Sequence, residues 1–364
     1  MLVNNTVKLF TPGPLNTSYA VRAAMCKDIG SRTPECDKLT KDIQSMLREV
    51  ASCDSSFVPI LLQGSGTFAV EAMIATLVPS QGHVLVVDNG LYGRRMAEIC
   101  VAHNIPHTVL KLSEMEAIKG SDLETAFQNN EQITHLAIVH FETAMGVNNK
   151  LPTIQLVCER YSVMLLLDSM SAFGALPIDF GSETLAAVAS SSNKCLHGVP
   201  GLGIIFVRVS EFEKCDTIRS VSLDIKTQYE SLKLIGQWKF TPPLQVMLAL
   251  RQAIIEYCSD GGQIGRISKY SEIESILIQG LAKFGIQPII KAEFRAPIII
   301  TFSLPHYINF SSLYAYLLER NLVIYPSKIS DCFRLGCIGE LTIEDANDLV
   351  YTIGEFMEES GSHE

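Results

Sequence analysis

The chain has 364 residues, 47% of them hydrophobic, with a formal net charge of −10 at pH 7 and a mean hydropathy of +0.22. That length suits two or three domains with a large buried core. No apolar run approaches the ~20 residues of a membrane span, and no Lys/Arg run interleaved with aromatics offers a nucleic-acid surface. The ten cysteines are scattered without a C-x-x-C pair, most of them inside apolar segments such as "MAEICVA" and "LVCER". They read as reduced, buried small side chains, not as a disulfide framework. The opening "MLVNNTVKLFTPGPL" has neither the basic region nor the apolar core of a secretory signal, so a cytoplasmic enzyme is expected.

From residue 57 to about 208, short apolar runs alternate with helix-length segments: "FVPILL", "HVLVVD", "HLAIVHF", "VMLLLD" and "GIIFVRV". Runs that are apolar at nearly every position belong to strands covered on both faces, so the pattern predicts an α/β domain on a mainly parallel sheet with helices on both sides. A helix is predicted through "FAVEAMIATLV", and Ile154, Val157 and Cys158 have helical spacing. The tail reads as α+β. Helical patterns lie near 243–258 and 263–284, then come strand-like "PIIITF", a helix near 310–320, "LVIYP", "CFRLG" and a last helix. That helix opens at Thr342 with Asp345 three residues on, as in a capping box. Its apolar positions Ile343, Ala346, Leu349, Val350, Ile353 and Phe356 share one face. The expected division is an N-terminal segment, 1–20, packing on both domains, a large domain, 21–245, and a small one, 246–364.

Active sites of open α/β sheets gather at the carboxyl ends of the strands, and five such ends carry signals. In "LLQGSGTFAVE", Ser65, Gly66 and Thr67 follow a strand and open a helix, as an anion site does. An ordinary tight turn would look the same. In "DNGLYGRRM", Tyr92 stands between glycines, where its ring could face a flat ligand or simply the core. In "HFETAMG", His140-x-Glu142 could suggest a metal, but no third ligand stands nearby and none is expected. Asp168 ends the apolar run of "VMLLLDSMSAFG", where a carboxylate is costly unless a cation or donor meets it. Lys194, in "SSSNKCLHGVPG", follows "LAAVASSS" in a loop where partial desolvation would lower its pKa and make its amine a nucleophile and base. Together the five suit one ligand, a phosphorylated, flat, pyridine-like aldehyde, which is pyridoxal phosphate chemistry.

Taken with "LFTPGPLNTS" and "FRLGCIGE", these segments resemble the class V aminotransferases of pyridoxal phosphate fold type I, essentially end to end from residue 8 to about 357. The resemblance is greatest to members that move the amino group of 2-aminoethylphosphonate to pyruvate, a step of phosphonate degradation. It implies a mixed sheet with one antiparallel strand, pyridoxal 5'-phosphate as cofactor, and a homodimer with active sites at the interface. It makes Lys194 the residue that condenses with the cofactor aldehyde, Asp168 the partner of the ring nitrogen, Tyr92 the stacking ring, and Ser65, Gly66 and Thr67 the phosphate site. Thr143 takes the position that touches the ring hydroxyl. Thr241, in "QWKFTPP", would reach the neighbouring subunit's cofactor phosphate, and Arg334 would bind the substrate anion. The chain departs from the usual pattern at Ala144 and Cys337, neither of which removes a group the chemistry needs. A phosphonate carries more charge than one guanidinium satisfies, so Arg32 in "IGSRTPE" is a candidate second cation, against its alternative as a solvated surface arginine. The rival reading within the family is an alanine–glyoxylate or serine–pyruvate aminotransferase, which shares the cofactor constellation. A desulfurase would need a mobile cysteine, which Cys195 beside Lys194 does not supply.

Overall fold

The computed structural model describes residues 7–361. The first six residues of the expected N-terminal segment and the last three of the chain lie outside the described residues. The centre is a seven-stranded sheet whose spatial order is Phe57–Gln63, Leu202–Arg208, Leu185–Ser191, Met164–Asp168, His135–Val139, Val84–Asp88 and His107–Lys111. Every pairing is parallel except those of strand 202–208, which runs antiparallel to both neighbours. The predicted mainly parallel sheet is therefore present, with a single reversed strand in it. Strands 84–88 and 185–191 are buried at every position, because helices cover both faces and no side of the pleat meets water.

On one face, Leu39, Ile43 and Leu47 of helix Pro34–Ala51 pack with Leu250 and Ile254 of helix Leu244–Ser259. Helix 34–51 starts sharply: Pro34 lies in its first turn, and the Thr33 hydroxyl accepts from Cys36 N. On the other face, Met73, Ile74 and Leu77 of helix Gly66–Leu77 pack with Met96 and Ile99 of helix Leu91–Ala102.

A second core lies under a three-stranded antiparallel sheet in the order Ile299–Ser303, Cys332–Gly336, Tyr325–Pro326. It is filled from helices Gly262–Ala282, Phe310–Glu319 and Ile343–Gly361. The predicted capping box of the last helix is formed: Thr342 Oγ1 accepts from Asp345 N at 3.1 Å and Asp345 Oδ2 from Thr342 N at 2.9 Å. The N-terminal segment touches both cores. Lys8–Leu9 pairs with Leu322–Val323, Phe10 and Leu15 enter the second core, and Ser18 Oγ donates to Glu256 Oε1 of helix 244–259 at 2.8 Å.

Candidate active site

The parallel strands end on one edge of the central sheet, and the reversed strand starts there. Ser65 and Gly66, Asp168, Ser191 and Lys194 are thereby brought to one cavity of about 450 Å³, lined also by Thr67, Tyr92, Arg95, Thr143, Met170 and Asn193. Gly66 begins helix 66–77, and Ser65 makes no side-chain cap bond to that helix, so its first turn faces the cavity with its positive dipole end uncompensated. A Cβ on Gly66 would stand 2.3 Å from Met170 Sδ, so any larger residue here would have to displace the Met170 side chain from the cavity wall. Tyr92 is held by its own amide, which donates to Glu142 Oε2 at 3.0 Å, and the Arg95 guanidinium lies 5.1 Å over its ring while donating to Thr67 Oγ1 at 3.2 Å. Glu142 Oε1 also accepts from Ala144 N at 2.9 Å, fixing the turn that carries Thr143. Arg334, paired with Thr301 and Tyr325 in the small sheet, reaches that same turn and donates through Nη1 to Thr143 O at 3.0 Å.

The electrostatics are those of a largely buried site with unmatched groups. Burial pushes the Asp168 carboxyl up to about 6, against the Met170 amide, Arg95 and Lys194, which pull it down. Its one hydrogen-bond donor among the described residues is Met170 N, at 3.0 Å. Burial lowers the Lys194 amine to about 8, helped by Arg334 and opposed by Cys195 and Asp168, and Nζ donates to Pro12 O at 2.6 Å. Glu142 is raised to about 7 by burial, and His140 is lowered to about 4 for the same reason. The Ser191 hydroxyl is buried without a partner among the described residues. A buried carboxylate short of donors, an orphan hydroxyl and an uncapped helix start are each costly alone. Together they suit a ligand with a protonated ring nitrogen at one end and a phosphate at the other.

The sequence profile of the family described as aminotransferase class-V matches residues 18–325. The chain belongs to the class-V aminotransferases. Among its relatives, a 2-aminoethylphosphonate–pyruvate transaminase of Paraburkholderia phymatum is 39% identical, covering 98% of each chain. The enzyme of the same name from Pseudomonas aeruginosa is 38% identical over 96% of each. Among solved structures, an alanine–glyoxylate aminotransferase from Nostoc matches with a TM-score of 0.88 at 23% identity, over 99% of this chain and 96% of the other. A subgroup IV aspartate aminotransferase from Thermus thermophilus matches with a TM-score of 0.87 at 22% identity, over 97% of this chain and 99% of the other. At those identities the structures speak for the fold alone.

Of the residues expected in a class-V site, Ser65, Gly66, Thr67, Tyr92, Thr143, Asp168 and Lys194 meet in the one cavity, with Arg334 bonded to its wall. Two do not come to it. Thr241 is exposed beside a separate apolar cavity of about 360 Å³. Arg32 donates to Gln237 Oε1 at 2.6 Å and lines no part of the site. Arg95, Ser191 and Asn193 line the cavity, and Glu142 braces it, without having been singled out for those places from the sequence. Arg95 follows Tyr92 by one helical turn, a spacing that could have flagged it. Among the described residues no group of His, Cys, Asp and Glu could hold a metal ion, and no helix is long and apolar enough to cross a membrane.

Proposed function

We propose that this chain moves the amino group of 2-aminoethylphosphonate to pyruvate, giving phosphonoacetaldehyde and alanine, with pyridoxal 5'-phosphate as its cofactor. The observation that carries the reaction type is the convergence of Lys194, Asp168 and the 65–67 helix start on one cavity. The substrate pair follows from relatives at 38–40% identity over nearly the whole chain, all of that name. Of the alternative substrate pairs, glyoxylate with alanine has support from a neighbour whose identity speaks only to fold.

The cofactor, when bound, supplies an aldehyde for the substrate amine and a ring that accepts the electrons of a broken C–H bond. The amides and hydroxyls of Ser65, Gly66 and Thr67 would hold the phosphate end, with the Ser191 hydroxyl and the Arg95 cation available to it in the same cavity. Asp168 would hold a proton on the ring nitrogen, since its buried carboxylate would there gain a cationic partner. Tyr92 would cover the ring face, and Thr143 would hydrogen-bond the ring hydroxyl. Lys194 would be the covalent anchor of the cofactor and, with its amine free, the base. An amine at about 8 is partly neutral near pH 7 to 8, so it can take the substrate proton and return it. Arg334 receives the phosphonate in one half-reaction and the pyruvate carboxylate in the other, by charge-assisted bonds. Arg32 is given no substrate role within its own chain.

The assembly we propose is a homodimer in which Thr241 serves the partner's cofactor phosphate. Its support is an apolar surface on the segment next to Thr241, where Leu234 is 80%, Ile235 70% and Phe240 47% exposed.

The deciding experiment incubates cofactor-loaded protein with 2-aminoethylphosphonate and pyruvate and follows alanine. Alanine formation is expected, with glyoxylate a poorer acceptor, and borohydride should fix the cofactor on Lys194. A preference for glyoxylate, or an adduct on another lysine, overturns the reading.

A further inference from the structure

Lys194 opens a tight turn: His197 N donates to Lys194 O and Gly198 N to Ser192 O, each at 2.8 Å. The turn places His197 at a left-handed φ of 59°, with its ring 2% exposed. His197 Nε2 meets two groups of the small unit. The Tyr270 hydroxyl, from helix 262–282, is 2.6 Å away, and Gly339 N donates to the same nitrogen at 3.0 Å. Gly339 lies just beyond the strand that carries Arg334. From there the connection continues. Gly336 N donates to Phe10 O and Glu340 N to Asn16 O, fastening the N-terminal segment whose Pro12 carbonyl receives the Lys194 ammonium. The hydrogen bonds therefore form a closed circuit from the Lys194 backbone, through His197 and the residues after Arg334, back to the Lys194 amine.

His197 is the histidine in that circuit, and its protonation state is decided by its partners. An amide N–H can only donate, so Nε2 must present its single lone pair to Gly339, and the Tyr270 hydroxyl, 2.6 Å away, can then only donate to the same lone pair, which the two share. A proton on Nε2 would face the Gly339 N–H. Burial together with the charges of Arg266 and Lys269 keeps the ring neutral, well below its ordinary titration. The remaining N–H, on Nδ1, is buried without a partner among the described residues. An apolar side chain would avoid that unmatched donor. What the ring provides that an apolar side chain cannot is acceptance.

We propose that His197 is a positioning residue: as an uncharged acceptor of two bonds it locks the Lys194 turn to the segment following Arg334, and so sets the spacing between the proton-handling amine and the anion clamp. The proposal rests on the roles given above to Lys194 and Arg334.

The test compares wild type with His197→Leu, which cannot accept, His197→Gln, whose amide oxygen can accept twice, and Tyr270→Phe, which removes one donor. In cofactor-free protein, the pH dependence of Lys194 acylation, read by peptide mass, gives the titration midpoint of its amine. The leucine variant should move that midpoint upward, toward the ordinary 10.5, by about one unit or more as the circuit opens to water, and glutamine should restore it. With cofactor and both substrates, kcat/KM should fall about tenfold in the leucine variant and stay within about twofold of wild type in the glutamine variant. An unmoved midpoint in His197→Leu, or equal losses in the leucine and glutamine variants, overturns the proposal. If the leucine protein does not fold, the decision passes to the other pair. A shift in Tyr270→Phe with none in His197→Gln supports the proposal, and any other pattern overturns it. A wild type that does not transaminate 2-aminoethylphosphonate counts against the proposed function alone, since the midpoint measurement needs no turnover.

Discussion

An ammonium drawn into a largely enclosed cavity lowers the stability of the chain that carries it. Lys194 has its ordinary value of 10.5 when unfolded and about 8 in the fold, so the unfolded chain binds the proton more tightly. The sign follows: the penalty is fully present below pH 8 and disappears as the pH rises toward 10.5. Replacing the amine by a thioether of similar length, Lys194→Met, should therefore stabilise cofactor-free protein at pH 7, by roughly 3 kcal/mol at most given about 1.4 kcal/mol per unit. Urea melts at pH 7 and pH 10 check this, and a variant no more stable than wild type at pH 7 would show that the ammonium carries no burial cost. The same physics made Lys194 and Asp168 conspicuous in the sequence, because a charge set against a wholly apolar run or a glycine-rich turn has no ordinary use. Arg95, Ser191 and Glu142 gave no such contrast. One stands among other polar helix residues, one in a run of serines, and one beside a histidine that suggested a metal. Arg32 shows the converse: loop arginines look alike in sequence, and only the Gln237 contact shows what this one holds.

Helix 66–77 can present its amino end to the cavity only because strand 202–208 lets it lie close. A Cβ on Gly203 would stand 2.8 Å from Ala69 Cβ, a contact with a rigid atom that cannot swing aside. Gly203→Ala should push the helix off the sheet, at a stability cost of about 1–3 kcal/mol, and weaken cofactor binding several-fold by displacing the 65–67 amides. Melting and fluorescence titration with pyridoxal phosphate measure the two effects, and an unchanged affinity would separate the helix start from the anion site. The buried strands and the capped last helix were readable in advance, since period and caps are local. Strand His107–Lys111 was not, because at the sheet edge its residues are only partly buried and no apolar run develops. Nor does "GIIFVRV" say which way it runs: a strand covered on both faces has the same composition in either direction, and the reversal came from family resemblance.

For the whole molecule, the apolar surface around Phe240 and Leu234 is one of the parts that the single chain leaves exposed among the described residues. Leu234→Asp combined with Phe240→Asp should yield a monomer in sedimentation that retains the fold but loses cofactor on dilution, since Thr241 would no longer reach a partner. A double variant that stays dimeric, or a monomer that keeps its cofactor, removes this face from the assembly. The two-part layout was legible from the change of pattern along the chain, whereas the ties between the parts, by His197 and by the 8–16 segment, join residues too distant in sequence for any local pattern to relate. Strand 57–63 has a further consequence. It stands at the sheet edge and its sole neighbour in that sheet is strand 202–208. During synthesis it must wait on the ribosome until that distant stretch has emerged, while strands 84–88 through 164–168 can already associate with one another. The 65–67 end of the cavity therefore joins the side that carries Tyr92, Thr143 and Asp168 only after strand 202–208 has emerged, so a nascent chain halted before Arg208 is expected to hold one half of the cavity without the other.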